Sequence, residues 1–141
     1  QTMFAEFERD IYAMAESDEV ITADKLCEKY YELNKKYFGN NVVIDEEIKY
    51  EWERIPHFYY NFYVYKYATG LSAACYIVDG ILNGRENALS NYKKFLSLGG
   101  SMDPLDELKV AGVDMNDPKV IESALKMFDE TIELFKEIYN K

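Results

Sequence analysis

Residues 57–82 read HFYYNFYVYKYATGLSAACYIVDGIL, and the reading of this stretch decides the fold. The single histidine of the chain, His57, is followed by seven aromatic residues in the next ten, and five of those seven are tyrosines. Tyr59, Tyr63 and Tyr67 recur every fourth residue, with Phe58, Phe62 and Tyr65 beside them, and such spacing lines one side of an α-helix. Ala68, Gly70, Ser72, Ala73 and Ala74 then make the second half thin enough for close helix packing. The pattern predicts one long helix from Tyr59 to about Leu82, apolar nearly all round and therefore central.

Working outward, helices account for most of the remaining chain. TMFAEFERDIYAMAE places Met3, Phe4, Phe7, Ile11 and Met14 on one apolar face, and the pattern is already running at the first residue with no start signal. That suggests a piece of a longer polypeptide. Thr22 is placed to cap a helix carrying Leu26, Tyr30, Leu33 and Tyr37, and Gly39 to end it. NVVI, residues 41–44, is a short β-like run, after which Asp45 can cap a short helix that stops before Pro56. Further helices are predicted from Arg85 to about Leu98, from Pro104 behind Asp103, and from Asp117–Pro118 to the C-terminus. The expected fold class is all-α, with residues 1–141 as a single helical domain of six or so helices.

Composition narrows the function. An apolar content of 48% is ample for a packed core, which argues against disorder. Twenty-six acidic against sixteen basic residues give a formal net charge of −10, which argues against nucleic acid and anionic membrane surfaces as partners. The longest weakly charged run, Tyr67–Leu82, is too short and too interrupted to span a membrane, and no signal peptide is visible. Cys27 and Cys75 lack any CxxC or Cys/His spacing and are expected to be reduced cytoplasmic thiols that pack as small hydrophobes.

The chemistry-bearing residues are sparse. A lone histidine excludes a two-histidine metal site within the chain, and GGS is neither a phosphate loop nor a dinucleotide fingerprint. Glu46, Glu47, Glu51 and Glu53 cluster before His57, but such clusters are usually solvated faces. The five phenols differ, because burying all of them would demand five hydrogen-bond partners. Some hydroxyls must therefore face water or a ligand.

IPHFYYNFYVYKYATGLSAA, with QTMFAEFE before it and FLSLGGS and PLDELKVAGVDM after it, resembles the C-terminal part of oligoendopeptidase F, within the thimet-oligopeptidase-like zinc metallopeptidases. The resemblance covers essentially the whole chain. It implies a lobe of a larger helical, clam-shaped cytoplasmic peptidase that cuts short peptides in a deep channel. It also implies zinc held by an HExxH helix and a downstream glutamate, none of which is in this sequence; those residues would lie in the missing N-terminal part of the same polypeptide. Zinc is thus expected in the parent enzyme and not on this chain alone, which would be inactive by itself.

What the resemblance leaves here is a histidine and tyrosine motif facing the metal. It makes Tyr65 the first choice for the transition-state donor and His57 a substrate or oxyanion contact, with Tyr59, Tyr60 and Tyr63 lining the peptide channel. A phenol suits this role because it donates at neutral pH without adding a full charge. The alternatives are a stand-alone helical module that binds peptides or aromatic ligands without catalysis, and a purely structural domain. Self-association through an exposed cut surface is a further expectation.

Overall fold

The computed structural model describes residues 1–140. The chain divides into two compact units, the first spanning Gln1–Ala68 and the second starting at Thr69. Every regular element among the described residues is helical, as the sequence predicts.

In the first unit, α1 (Thr2–Glu16) and α2 (Ala23–Phe38) are followed by two 3-10 segments, Glu46–Arg54 and Pro56–Tyr59. The apolar stripe of α1 buries Phe7 completely against the Tyr30 ring at 5.1 Å and the Phe58 ring at 4.9 Å between centroids. Leu33 and Ile55 complete this core, and Phe4, Ile11, Leu26, Ile48 and Trp52 close over it. Edge-on and tilted ring contacts of this kind add to the gain from area burial alone.

Two polar anchors stitch the core's edge. The fully buried Tyr30 donates to Glu51 Oε2 at 2.6 Å, and burial pushes its phenol far above the usual range. Glu6 of α1 receives Lys36 Nζ at 2.6 Å and the Tyr37 hydroxyl at 2.8 Å, both from α2. These hydrogen bonds hold the Glu6 carboxyl below its ordinary value, while burial and the same carboxylate push Tyr37 up to about 12.

Local signals explain the helix limits. The Thr22 hydroxyl accepts from the Lys25 amide at 3.3 Å, and Gly39 ends α2 with a φ of 67°. Residues 42–45 form no strand, so the β-like run joins α2 to the 3-10 segment instead.

The long central helix predicted from Tyr59 is corrected. α3 begins at Tyr65 and runs to Leu82, because Asn61 and Phe62 both take left-handed backbone, with φ of 49° and 59°, which a right-handed helix cannot contain. Nor is α3 buried all round: Leu71 is 67% and Leu82 is 78% exposed.

The second unit contains α4 (Ala88–Leu98), α5 (Pro104–Val110) and α6 (Lys119–Tyr139) with most of α3. Ala73 and Ile77 of α3 pack with Ala111, Val113 and Val120, and Tyr76, Tyr92, Phe95 and Leu108 surround them. α4 starts three residues later than the sequence predicts, because Asn87 is left-handed with a φ of 59°. The Arg85 guanidinium lies over Gly80 and covers the Tyr76 ring at 3.9 Å, so a Cβ at position 80, 2.9 Å from it, would make the arginine shift.

Neither cysteine forms a disulfide; Cys27 is buried and its Sγ receives Trp52 Nε1 at 3.4 Å. No helix among the described residues is long and apolar enough to cross a membrane. α6 leaves a row of apolar side chains exposed, including Leu125, Phe128, Phe135 and Ile138.

Phe7→Ala is expected to destabilise the first unit by about 3–5 kcal/mol, the usual cost of emptying an aromatic core position. Urea denaturation followed by the fluorescence of Trp52, which packs on this core, measures it.

Candidate functional site: an imidazole ringed by phenols

Pro56 opens a 3-10 turn whose neighbours Ile55 and Phe58 are buried at 6% and 4% exposure. Proline fixes φ at the first turn, and the two anchors on either side leave His57 at the rim of the core, half-buried. The chain then passes through Tyr60 and the left-handed Asn61–Phe62 pair. Each left-handed residue that is not glycine costs about 1–2 kcal/mol, so the turn must be held by its surroundings.

Those surroundings come from α1. Glu8 is 1% exposed, and its Oε1 accepts the Phe62 amide at 2.7 Å. One helical turn further, the Tyr12 hydroxyl donates to the Phe58 carbonyl at 2.9 Å, and its ring meets Phe62 edge-on at 4.7 Å.

The result is a cluster of four rings. Tyr63 stacks on His57 with centroids 5.7 Å apart and planes 23° from parallel. Tyr60 and Tyr67 present their edges to the same imidazole at 6.1 and 5.7 Å, and the Tyr67 hydroxyl lies 3.4 Å from His57 Nε2. Tyr63 also meets Tyr60 and Tyr67 edge-on, and Lys66 Nζ sits 4.8 Å from its ring centre. The Tyr63 hydroxyl, through a hydrogen bond, raises the Tyr67 phenol above its ordinary value.

Of the five residues singled out in the sequence, the fold brings His57, Tyr60 and Tyr63 together. Tyr59 stands on the 3-10 turn and is 67% exposed. Tyr65 opens α3 two positions before Tyr67, about 200° around the helix from it, and so lies on a different face from the one that meets His57. Tyr67, which the sequence reading does not single out, joins the same ring cluster, and its place four residues after Tyr63 is the signal available for it. Glu8 and Tyr12 were missed as well, and nothing in the sequence marks them, since their role depends on a left-handed turn 50 residues away.

Chemically, the cluster offers exposed aromatic faces to apolar groups and several neutral donors, beside an imidazole, to a carbonyl oxygen. An open apolar groove of about 620 Å³, lined by Phe38, Val42, Ile44, Ile48 and Tyr50 among others, includes none of these four residues.

Comparison with known proteins agrees with the resemblance. The model of Peptidase family M3 matches residues 1–127. The chain belongs to peptidase family M3. Oligopeptidase PepF of Bacillus subtilis is 52% identical over 141 residues, which are all of this chain and 21% of that protein. The chromosomal oligoendopeptidase F of Lactococcus lactis subsp. cremoris is 42% identical over the same 141 residues, or 23% of its length. The crystal structure of oligoendopeptidase-F from Enterococcus faecium superimposes with a TM-score of 0.94 at 44% identity, covering 99% of this chain and 27% of that one. This M3 chain therefore spans about a quarter of the length of such relatives.

Zinc is the metal that M3 membership implies. Among the described residues of this M3 chain no group of three or more His, Cys, Asp or Glu side chains could hold a metal ion, so the residues present do not form a zinc site.

Replacing Tyr63 by Phe removes the first cause of the raised Tyr67 value. Tyr67 is then expected to ionise at lower pH than in the unsubstituted protein, which nuclear magnetic resonance of ring-labelled tyrosine during a pH titration would show.

Proposed function

We propose that this chain supplies the substrate-gripping and oxyanion-stabilising surface of a cytoplasmic oligoendopeptidase that hydrolyses short peptides. The observation that carries the reading is the ring cluster itself: His57 stacked on Tyr63 and edged by Tyr60 and Tyr67, at a surface where Tyr60 is 57% and Tyr63 is 38% exposed. Membership of family M3 supports peptides as the substrate class.

In this reading the rings hold the peptide's side chains while phenol hydroxyls donate to the carbonyl oxygen that gains negative charge. A neutral donor already aimed at that oxygen needs little reorganisation, which is why such groups stabilise a transition state more than a ground state. His57 orients the donors through its contacts with three of the phenols and is the second contact to substrate. The zinc implied by the family has no ligand set here, so its binding segment, elsewhere in the parent polypeptide, would be this chain's first partner.

Two phenols compete for the donor role in this reading. Tyr65 was preferred from the sequence, whereas the ring that stacks on His57 belongs to Tyr63. In a full-length M3 polypeptide carrying this chain, Tyr63→Phe is expected to lower kcat about a hundredfold with little change in KM, the usual effect of losing one oxyanion donor. Tyr65→Phe is expected to cost much less. Steady-state hydrolysis of a short fluorogenic peptide decides between them. Unchanged turnover in Tyr63→Phe would sink the donor role, and a large loss only in Tyr65→Phe would return the role to that residue.

A second reading, peptide or aromatic-ligand binding without catalysis, is favoured by the exposure of Tyr59 and Tyr60 at 67% and 57%. Peptide binding that survives with no hydrolysis in the full-length polypeptide would support it.

The apolar row of α6 adds a proposal about assembly. Leu125, Phe128 and Phe135 are 59%, 62% and 63% exposed, a surface that water disfavours. The isolated chain is therefore expected to self-associate. Light scattering across a concentration series should show a mass above that of the monomer, and a constant monomer mass would oppose it.

A further inference from the structure

Glu8 is a buried acid that the peptide-gripping surface does not itself use. It lies in α1 beside Phe7, at 1% exposure, where a carboxylate is costly unless something compensates it. Its Oε1 accepts a backbone group, the Phe62 amide, at 2.7 Å. That amide belongs to the second of two consecutive left-handed residues, Asn61 and Phe62. Asparagine tolerates this backbone, but phenylalanine does so only when held.

The turn decides where the rings go. Tyr60 precedes the left-handed pair and Tyr63 follows it, and both come back onto the one imidazole of His57 at 6.1 and 5.7 Å. With right-handed backbone at 61 and 62, the helix of α3 would extend toward Tyr60 and the two tyrosines would be set by helical spacing instead. Tyr12 ties the other end of the same loop at the Phe58 carbonyl. The segment 58–62 is thus fastened to α1 at both ends, and its second fastening is the carboxylate of Glu8.

We propose that Glu8 is a positioning residue: its buried carboxylate, acting through the Phe62 amide, holds the Asn61–Phe62 left-handed turn and so sets Tyr60 and Tyr63 against His57. This rests on the cluster being the substrate-gripping surface proposed above, and it names what fixes that surface in place. A charged acceptor makes a stronger hydrogen bond to a backbone amide than a neutral one, so a carboxylate suits the task of holding a strained turn.

The test uses the chain itself and three variants, followed by amide hydrogen exchange and nuclear Overhauser contacts between ring protons. E8A removes the acceptor: exchange of the Phe62 amide is expected to accelerate roughly tenfold or more, and the His57–Tyr63 contacts to be lost, with helix content retained by circular dichroism. E8Q keeps an acceptor oxygen in place and is expected to preserve the ring contacts. E8A/F62G puts the residue that takes left-handed backbone without strain at the position that must otherwise be held, and is expected to regain part of them.

Full His57–Tyr63 contacts in E8A would overturn the proposal, and so would an E8Q protein that loses them as completely as E8A. Should E8A fail to fold, the double variant decides: folding restored with the ring contacts supports the role, and folding not restored overturns it. Failure here is distinct from failure of the donor reading. Turnover unaffected by Tyr63→Phe would sink the donor role while leaving the ring contacts, and what holds them, untouched.

Discussion

The packing of α1 against the segment from Ile55 to Phe62 is the contact on which the rest of the first unit depends. Phe7 fills the space between Tyr30 and Phe58, so one side chain joins α1, α2 and the 3-10 turn into a single core. From the same helix, Glu8 and Tyr12 reach the backbone of the loop that follows that turn. Burial and hydrogen bonding therefore act together: the aromatic core fixes where Phe58 sits, and the polar tethers fix how the chain leaves it. Without the first, the tethers would have no fixed frame. Without the second, two left-handed residues would have nothing to hold them.

This arrangement explains how an acidic, tyrosine-rich chain can present aromatic rings at its surface without losing its core. Ile55, Phe58 and Val64 point inward, and His57, Tyr60, Tyr63 and Tyr67 remain at the rim, each ring supported by another. The phenols keep access to solvent, so none requires a buried partner. Tyr30 is the contrast. Fully buried in the core, it needs Glu51 for its hydroxyl, and its proton is held far more tightly. The same residue type thus serves as core in one place and as a surface of donors in another, and burial makes the difference.

Much of the fold was legible because helices announce themselves through short-range rules. The stripe of Phe4, Phe7 and Ile11, the Thr22 cap and the Gly39 stop are local features, and the structure places α1 and α2 accordingly. The aromatic stretch misled because Tyr59, Tyr63 and Tyr67 have helical spacing on either reading. Tyr63 and Tyr67 do share a side, but the register before them is broken at Asn61 and Phe62, and phenylalanine gives no hint of left-handed backbone. The centrality of α3 was likewise misjudged: its apolar character is real, yet Leu71 and Leu82 are not covered within this chain.

The sequence by itself determined the helical class, the limits of the well-capped helices and, through a long and unusual aromatic motif, the peptidase family. Those depend on periodicity, capping chemistry and residue identity, all of which are written along the chain. Only the tertiary structure decided which tyrosines meet His57. That choice depends on a backbone reversal held by Glu8 and Tyr12, about 50 residues earlier in the chain. A hydrogen bond between such distant positions leaves no periodic trace. The grouping of His57 with Tyr60, Tyr63 and Tyr67 is therefore a property of the folded chain.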